Sequence, residues 1–285
     1  MLLKKTAFVT GAAQGLGRAF SEALLAKGGR VCLTDIQAKK GLLVENELQK
    51  KFGKDKCMFL QCDVSSAENL KQSFNAAVSK FGHIDLIVNN AGIGDESNME
   101  KMIKINLVGA ISGSHLGIEH MRKDKGGKGG VVINVASTAG LTPVYFSPNY
   151  CATKYGLVGF HMSCASNPHL KEMGVQFGCL CPAFTDTEIL KMDSKKVDYY
   201  DEAQKIIQHV GINPVETVVQ GFLQLVESPN CNGDIITVTA HDGIQYKKKG
   251  RNKWMSQFDS GQYLGPRNFL SGYQSQSIEI IVKVN

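Results

Sequence analysis

The chain has 285 residues, 43% hydrophobic and 20% charged, with a formal net charge of +6. That length suits one well-buried α/β domain, and ordinary apolar content argues against a disordered chain. No apolar run approaches the roughly 20 residues a membrane-spanning helix needs, so stable membrane insertion is not expected.

Met1-Leu2-Leu3-Lys4-Lys5 leads directly into a strand pattern, so no signal peptide is expected. Eight cysteines are scattered without a paired framework, which points to reduced thiols and a cytoplasmic location. The positive charge suits long-range attraction of an anionic carboxylate, although a solvated surface gives the same balance.

The first apolar run, Ala7-Phe8-Val9, reaches Thr10 and then Gly11-Ala12-Ala13-Gln14-Gly15-Leu16-Gly17, followed by an amphipathic stretch from Arg18 to Lys27. Strand, glycine turn and helix form the setting of a dinucleotide site. The glycines admit the pyrophosphate, and the new helix offers unpaired N–H groups. A tight turn needing no ligand would use the same glycines. The next strand, Arg30-Val31-Cys32-Leu33-Thr34, ends at Asp35, eighteen residues after Gly17. A carboxylate there accepts from the adenosine ribose hydroxyls and repels a 2′-phosphate. Neither Gln14 nor Ile36 supplies a compensating cation, so NAD is expected rather than NADP. The plainer reading of Asp35 is a cap after the strand.

Leu70, Phe74, Ala77, Val78 and Phe81 give one helix its apolar face. Further strands are expected near residues 57–61, 84–88, 130–136, 175–181 and 234–239. Their alternation with helices predicts a single α/β domain over residues 1–245. The expected fold is Rossmann-like and doubly wound, with a seven-stranded parallel sheet flanked by helices. Strand C-termini, and with them the cofactor, fall along one edge.

Tyr150 and Lys154 stand four residues apart, one turn along a helix face, with Ser137 thirteen residues upstream. A lysine so placed is expected to lower the phenol's pKa from about 10 toward the physiological range. The phenolate then takes an alcohol proton, and Ser137 holds the substrate oxygen. Tyr-x-x-x-Lys alone is a frequent coincidence. Cys151 reads as a small residue packed on that helix, and Cys179-x-Cys181 as core.

Pro168 interrupts the helix after Lys154, with Asn167 able to cap a restarted one. Residues 185–213 carry Met192, Tyr199, Tyr200, Ile206 and Ile207 among charges, and are expected to form a lid. Residues 246–285 are expected to be a basic, poorly ordered tail holding the Lys247–Lys253 cluster and a strand-like run at Ile278–Val282.

Several motifs stand in order with these. Asp63-Val64 follows the third strand and Asn89-Asn90-Ala91-Gly92 the fourth. Asn106 lies in an apolar helix, and Cys181-Pro182 precedes Thr187. Together, over residues 4 to about 243, they resemble the short-chain dehydrogenase/reductase family. TGAAQGLGRAF, FLQCDV, NNAGI, INLVGAISG and YCATK are similar to its prostaglandin-oxidising branch.

That resemblance implies NAD-dependent oxidation of the 15-hydroxyl of prostaglandins and related hydroxylated fatty acids to the ketone, by a homodimer. It implies Ser137, Tyr150, Lys154 and Asn106 as the catalytic set, with Asn106 holding a relay water. Gly11, Gln14, Gly15, Leu16, Gly17 and Asp35 would bind the adenosine and phosphate half. Asp63 and Val64 would meet the adenine, and Asn90 would line the cleft. Lys154 would also meet the nicotinamide ribose, with Tyr150, Pro182, Thr185 and Thr187 beside the nicotinamide. Ser137, Ser147, Tyr150, Phe184 and Val210 would face the lipid.

The chain departs from the family's pattern at Ala183 in place of glycine and Gly178 in place of asparagine. It departs from the branch at Ser147 in place of glutamine and at His209-Val210 in place of aromatics. These departures keep open a dehydrogenase of steroids, retinoids or other secondary alcohols. A non-catalytic NAD-binding sensor is the remaining reading, opposed by the intact catalytic set. No nucleic-acid partner is expected; salt-dependent retention through the tail would be its sign.

Overall fold

The computed structural model describes residues 5–190, 194, 197 and 199–247. The apolar, β-branched runs form buried strands: β1 (Thr6–Thr10), β2 (Arg30–Asp35), β3 (Cys57–Gln61), β4 (Leu86–Asn89), β5 (Gly130–Val135), β6 (Val175–Pro182) and β7 (Asp234–Thr239). They hydrogen-bond in parallel in the order β3-β2-β1-β4-β5-β6-β7. Their C-terminal ends therefore open on one edge.

The seven-stranded parallel sheet expected from sequence is corrected to eight strands. An added strand, β8 (Gly243–Lys247), pairs antiparallel with β7. Its sequence, GIQYK, is half polar and its outer residues are exposed, so it lacks the apolar run that marks a central strand. The boundary drawn at residue 245 falls inside β8. Residues 248–285, with the strand-like run Ile278–Val282, lie outside the described residues.

Helices cover both faces of the sheet. On one side α1 (Gly15–Ala26), α2 (Ala38–Phe52) and α9 (Val215–Glu227) bury Phe20, Leu24, Val44, Leu48, Phe222 and Leu225. Phe20 and Phe222 stack with ring centroids 4.3 Å apart. On the other side lie α3 (Ala67–Phe81), α4 (Met99–Ile103), α5 (Ala110–Met121) and α6 (Pro148–Ala165). The α3 face buries Leu70, Phe74, Ala77 and Phe81, as its spacing predicts. Each fully buried large apolar side chain stabilises the fold by about 1.5–3 kcal/mol.

Between α4 and α5 the helix widens into a π-turn at Lys104–Gly109. At its far end, α6 stops at Ala165, before Pro168. The Asn167 carboxamide oxygen accepts the His169 N–H at 2.9 Å, just before the short α7 (Leu170–Met173). Proline thus sits in a break between helices, where its missing N–H costs nothing. Cys179 and Cys181 lie buried on β6 with their sulfurs 3.8 Å apart. No helix among the described residues is long and apolar enough to cross a membrane.

Candidate active site

The turn after β1 is shaped by backbone that side chains would obstruct. Gly11 and Gly15 have φ of +66° and +53°, the left-handed region that favours glycine. A Cβ on Gly17 would lie 2.2 Å from the Gly11 carbonyl oxygen. Gln14 precedes α1 and does not cap it with its side chain, so the first-turn N–H groups face the cavity.

Asn90 braces this turn from the neighbouring strand end. Its side-chain nitrogen donates to the Thr10 and Gly11 carbonyls at 2.9 and 3.1 Å. In return, the Thr10 hydroxyl accepts the Asn90 and Ala91 N–H groups.

Asp35 is both a rim residue and a cap. Its carboxylate accepts the Ala13 N–H at 3.0 Å and the Gln37 N–H at 2.9 Å while facing the cavity. Asp63 accepts from the Ser65 N–H and hydroxyl, and Val64 packs beside it. Gln14 and Ile36 themselves bring no cation, but one stands beside Gln14. Lys40, on the first turn of α2, donates to the Gln14 side-chain oxygen at 2.7 Å.

At the other end, β5 delivers Ser137 and α6 delivers Tyr150 and Lys154. The Ser137 hydroxyl lies near enough to the Tyr150 phenol to favour its ionised form, and it donates to the Pro182 carbonyl at 3.3 Å. Lys154 is buried, donates to the Val135 carbonyl at 3.0 Å, and lies 5.5 Å from the centre of the Tyr150 ring.

Burial pushes the phenol up to about 12, against the lowering effect of Ser137. The expected lowering by Lys154 is therefore corrected. Burial also pulls the lysine down to about 8, so the cation meant to favour phenolate is itself disfavoured. Tyr150 nevertheless keeps part of its surface open to the cleft.

A cavity of about 500 Å³ runs between these two ends. Every residue expected at the site lines it except Gly17 and Asn106. Gly17 lies beneath the turn. Asn106 lies in the π-turn behind the wall, where its side chain exchanges two hydrogen bonds with the Ile93 backbone and donates to Thr153. With the amide so engaged, only its main chain is left to meet a water, and a π-turn loosens the helical ladder there.

The side expected to form a lid is aliphatic: Ile189, Leu190, Val197, Ile206 and Val210 line the cavity there beside Phe184. It is built on α8 (Tyr200–Val210), which buries Ala203 and Ile207. Tyr199, at the start of α8, has φ +53° and touches the Tyr145 ring at 5.9 Å between centroids. Met192 lies outside the described residues. Cys151 bonds the Val144 backbone, and burial pushes its thiol up, so it is a packed residue rather than a nucleophile.

Glu96 was not foreseen. It lines the cavity, and its carboxylate accepts the Asn149 and Tyr150 N–H groups. No sequence signal marked it: Ser147-Pro148 reads as a self-capped helix start, and only the structure shows that serine unused.

A doubly wound sheet with a glycine turn, and a Ser-Tyr-Lys constellation at the strand ends, describes a nicotinamide-dependent dehydrogenase. The short chain dehydrogenase family model matches residues 5–198, and the chain belongs to that family. Over 249 residues it is 42% identical to 15-hydroxyprostaglandin dehydrogenase (NAD(+)) of Macaca fascicularis and of Homo sapiens, covering 85% of this chain and 94% of each relative. In fold it is similar to a short chain dehydrogenase/reductase from Burkholderia phymatum, solved in complex with NAD. That match has a TM-score of 0.69 at 23% identity, covering 79% of this chain and 86% of that one.

Proposed function

We propose that this chain oxidises the 15-hydroxyl of prostaglandins and related hydroxylated fatty acids to the ketone, with NAD as cofactor. The observation that carries the reading is the Tyr150 phenol, beside Ser137 and open to an aliphatic cavity that continues to the glycine turn. The glycine cradle and the Asp35 rim fit the dinucleotide, since a Cβ at Gly17 would close the turn. NAD⁺, when bound, supplies the hydride acceptor and a positive charge near the phenol.

Ser137 fixes the substrate oxygen, and Tyr150, as phenolate, removes its proton. Lys154, and a water held by the main chain at Asn106, pass that proton toward solvent. Lys154 further meets the nicotinamide ribose, with Pro182, Thr185 and Thr187 completing that wall. Ser147, Phe184 and Val210 meet the lipid.

A steroid or another secondary alcohol is the second reading, favoured by the smooth aliphatic lid wall and the short reach of Ser147. The test is NADH absorbance with NAD⁺ and prostaglandin E2, alongside a steroid and a short secondary alcohol. Preference for the prostaglandin supports the first reading, and turnover of the steroid alone replaces it.

Homodimerisation is proposed from the outer surface of α5 and α6, where Tyr155 and Met162 are exposed beside the open backbone of Gly159. A cytoplasmic location is proposed from the eight cysteines, all unpaired thiols.

A further inference from the structure

The first turn of α6 is bonded in an unusual way. Ser147 precedes it, and a serine there ordinarily accepts from the N–H two or three residues on. Those donors are Asn149 and Tyr150, yet the Ser147 side chain makes no capping bond. Every backbone donor at this end is otherwise accounted for. Ser147 N–H bonds the Val144 carbonyl at 3.0 Å, Pro148 has no N–H, and Cys151 N–H bonds the Ser147 carbonyl at 2.9 Å. The two left over go to Glu96, one to each carboxylate oxygen, both at 2.9 Å. The Asn149 side chain also donates to the Glu96 carbonyl at 3.3 Å.

Glu96 belongs to the loop after β4, more than fifty residues away in sequence. A carboxylate at a helix N-terminus is favoured by the dipole and by charge-assisted bonds, so it outcompetes a neutral hydroxyl for the same donors. The displaced hydroxyl belongs to a residue that lines the cavity.

We infer that Glu96 is a positioning residue: by capping α6 in place of Ser147, it frees the Ser147 hydroxyl for the substrate and sets the start of the turn that carries Tyr150. The inference rests on the oxidation reading for the role of Ser147, but the capping exchange stands without it.

Two double-mutant cycles with Glu96→Ala and Ser147→Ala test this, one in melting temperature and one in KM. Melting needs no activity. Ser147→Ala alone should leave Tm within about 1 °C, because its hydroxyl caps nothing. In the Glu96→Ala background, where Ser147 takes over the cap, the same change should lower Tm by about 3 °C.

In kinetics, Glu96→Ala should raise the KM for the alcohol by about fivefold, as Ser147 leaves the substrate. The KM for NAD⁺ should stay within about twofold, and Ser147→Ala should then add nothing further. Glu96→Gln, which keeps one acceptor oxygen, should lie between. Equal effects of Ser147→Ala in both backgrounds, in Tm and in KM, would overturn the inference. A parent protein that oxidised no alcohol would overturn the oxidation reading instead and leave the melting cycle to decide the capping exchange.

Discussion

Lys154 faces the ring of Tyr150, 5.5 Å from its centre, and gives its hydrogen bond to the Val135 carbonyl. The neighbour that favours the ionised phenol is Ser137. In the protein alone, burial outweighs the lowering effect of Ser137 and holds the phenol near 12. The chain thus keeps its base protonated until a further positive charge arrives, which bound NAD⁺ supplies.

Replacing Tyr150 by phenylalanine removes the base and keeps the ring. Turnover is expected to fall at least about 1,000-fold, while NADH affinity, measured by fluorescence titration, stays within a few-fold. Ordinary turnover by the variant would refute the assignment of the base.

The active form is the phenolate, and its pKa lies above neutrality, so alcohol oxidation should accelerate as pH rises. The rate is expected to climb from about pH 7 to pH 10, following the deprotonated fraction. Initial rates at constant ionic strength check this. A flat profile across that window would mean Tyr150 does not limit the reaction.

Gly17→Ala should weaken NAD binding by about 100-fold or more, because the new methyl meets the Gly11 carbonyl and the Asn90 amide. Calorimetric titration with NADH reads the loss directly, and unchanged affinity would show that the turn relaxes freely.

Lys40 stands on Gln14 beside the turn, so Asp35 is what holds off a 2′-phosphate there. With Asp35→Ser, the repulsion of a 2′-phosphate disappears and a cation is already beside the turn. The ratio of kcat/KM for NADP⁺ to that for NAD⁺ should rise by about 100-fold, and Lys40→Ala in the same background should lower it again. A ratio indifferent to Lys40 would place the lysine out of reach.

Acid stability has a separate source. The His120 Nε2 accepts the Ile84 N–H at 3.1 Å, and burial, with His83 beside it, lowers the His120 pKa. A histidine held neutral in the fold takes up its proton more readily when unfolded. Its contribution is therefore complete above the unfolded value of about 6.5 and fades as pH falls below it. Melting temperature should drop by a few degrees between about pH 7 and pH 5, and His120→Phe should flatten that slope. An equal slope in the variant would assign the acid lability elsewhere.

The seven parallel strands and the glycine turn were readable because each buried strand is a continuous apolar run and each turn spends glycine where φ is positive. β8 was not, since GIQYK has no buried face to advertise. Its only local signal was Asp242-Gly243 at the hairpin. Tyr150, Lys154 and Ser137 were readable from spacing and motif order, but their proton affinities were not. Those depend on how much water the fold removes, and sequence distance does not measure that. Glu96 was hidden for another reason: its partners lie across the cleft, and the serine that spacing would choose as the cap is the one left unused.

Asn90 laces the phosphate turn to the loop after β4, through three bonds to Thr10 and Gly11, and the Ala91 N–H adds a fourth to the Thr10 hydroxyl. The two halves of the cofactor site consequently rest on one footing. An engineer or a lineage adjusting one half also shifts the other, so drift here is confined to paired changes. Novelty is left to the far wall of the cleft, where Ile206 and Val210 on α8 take no part in those bonds.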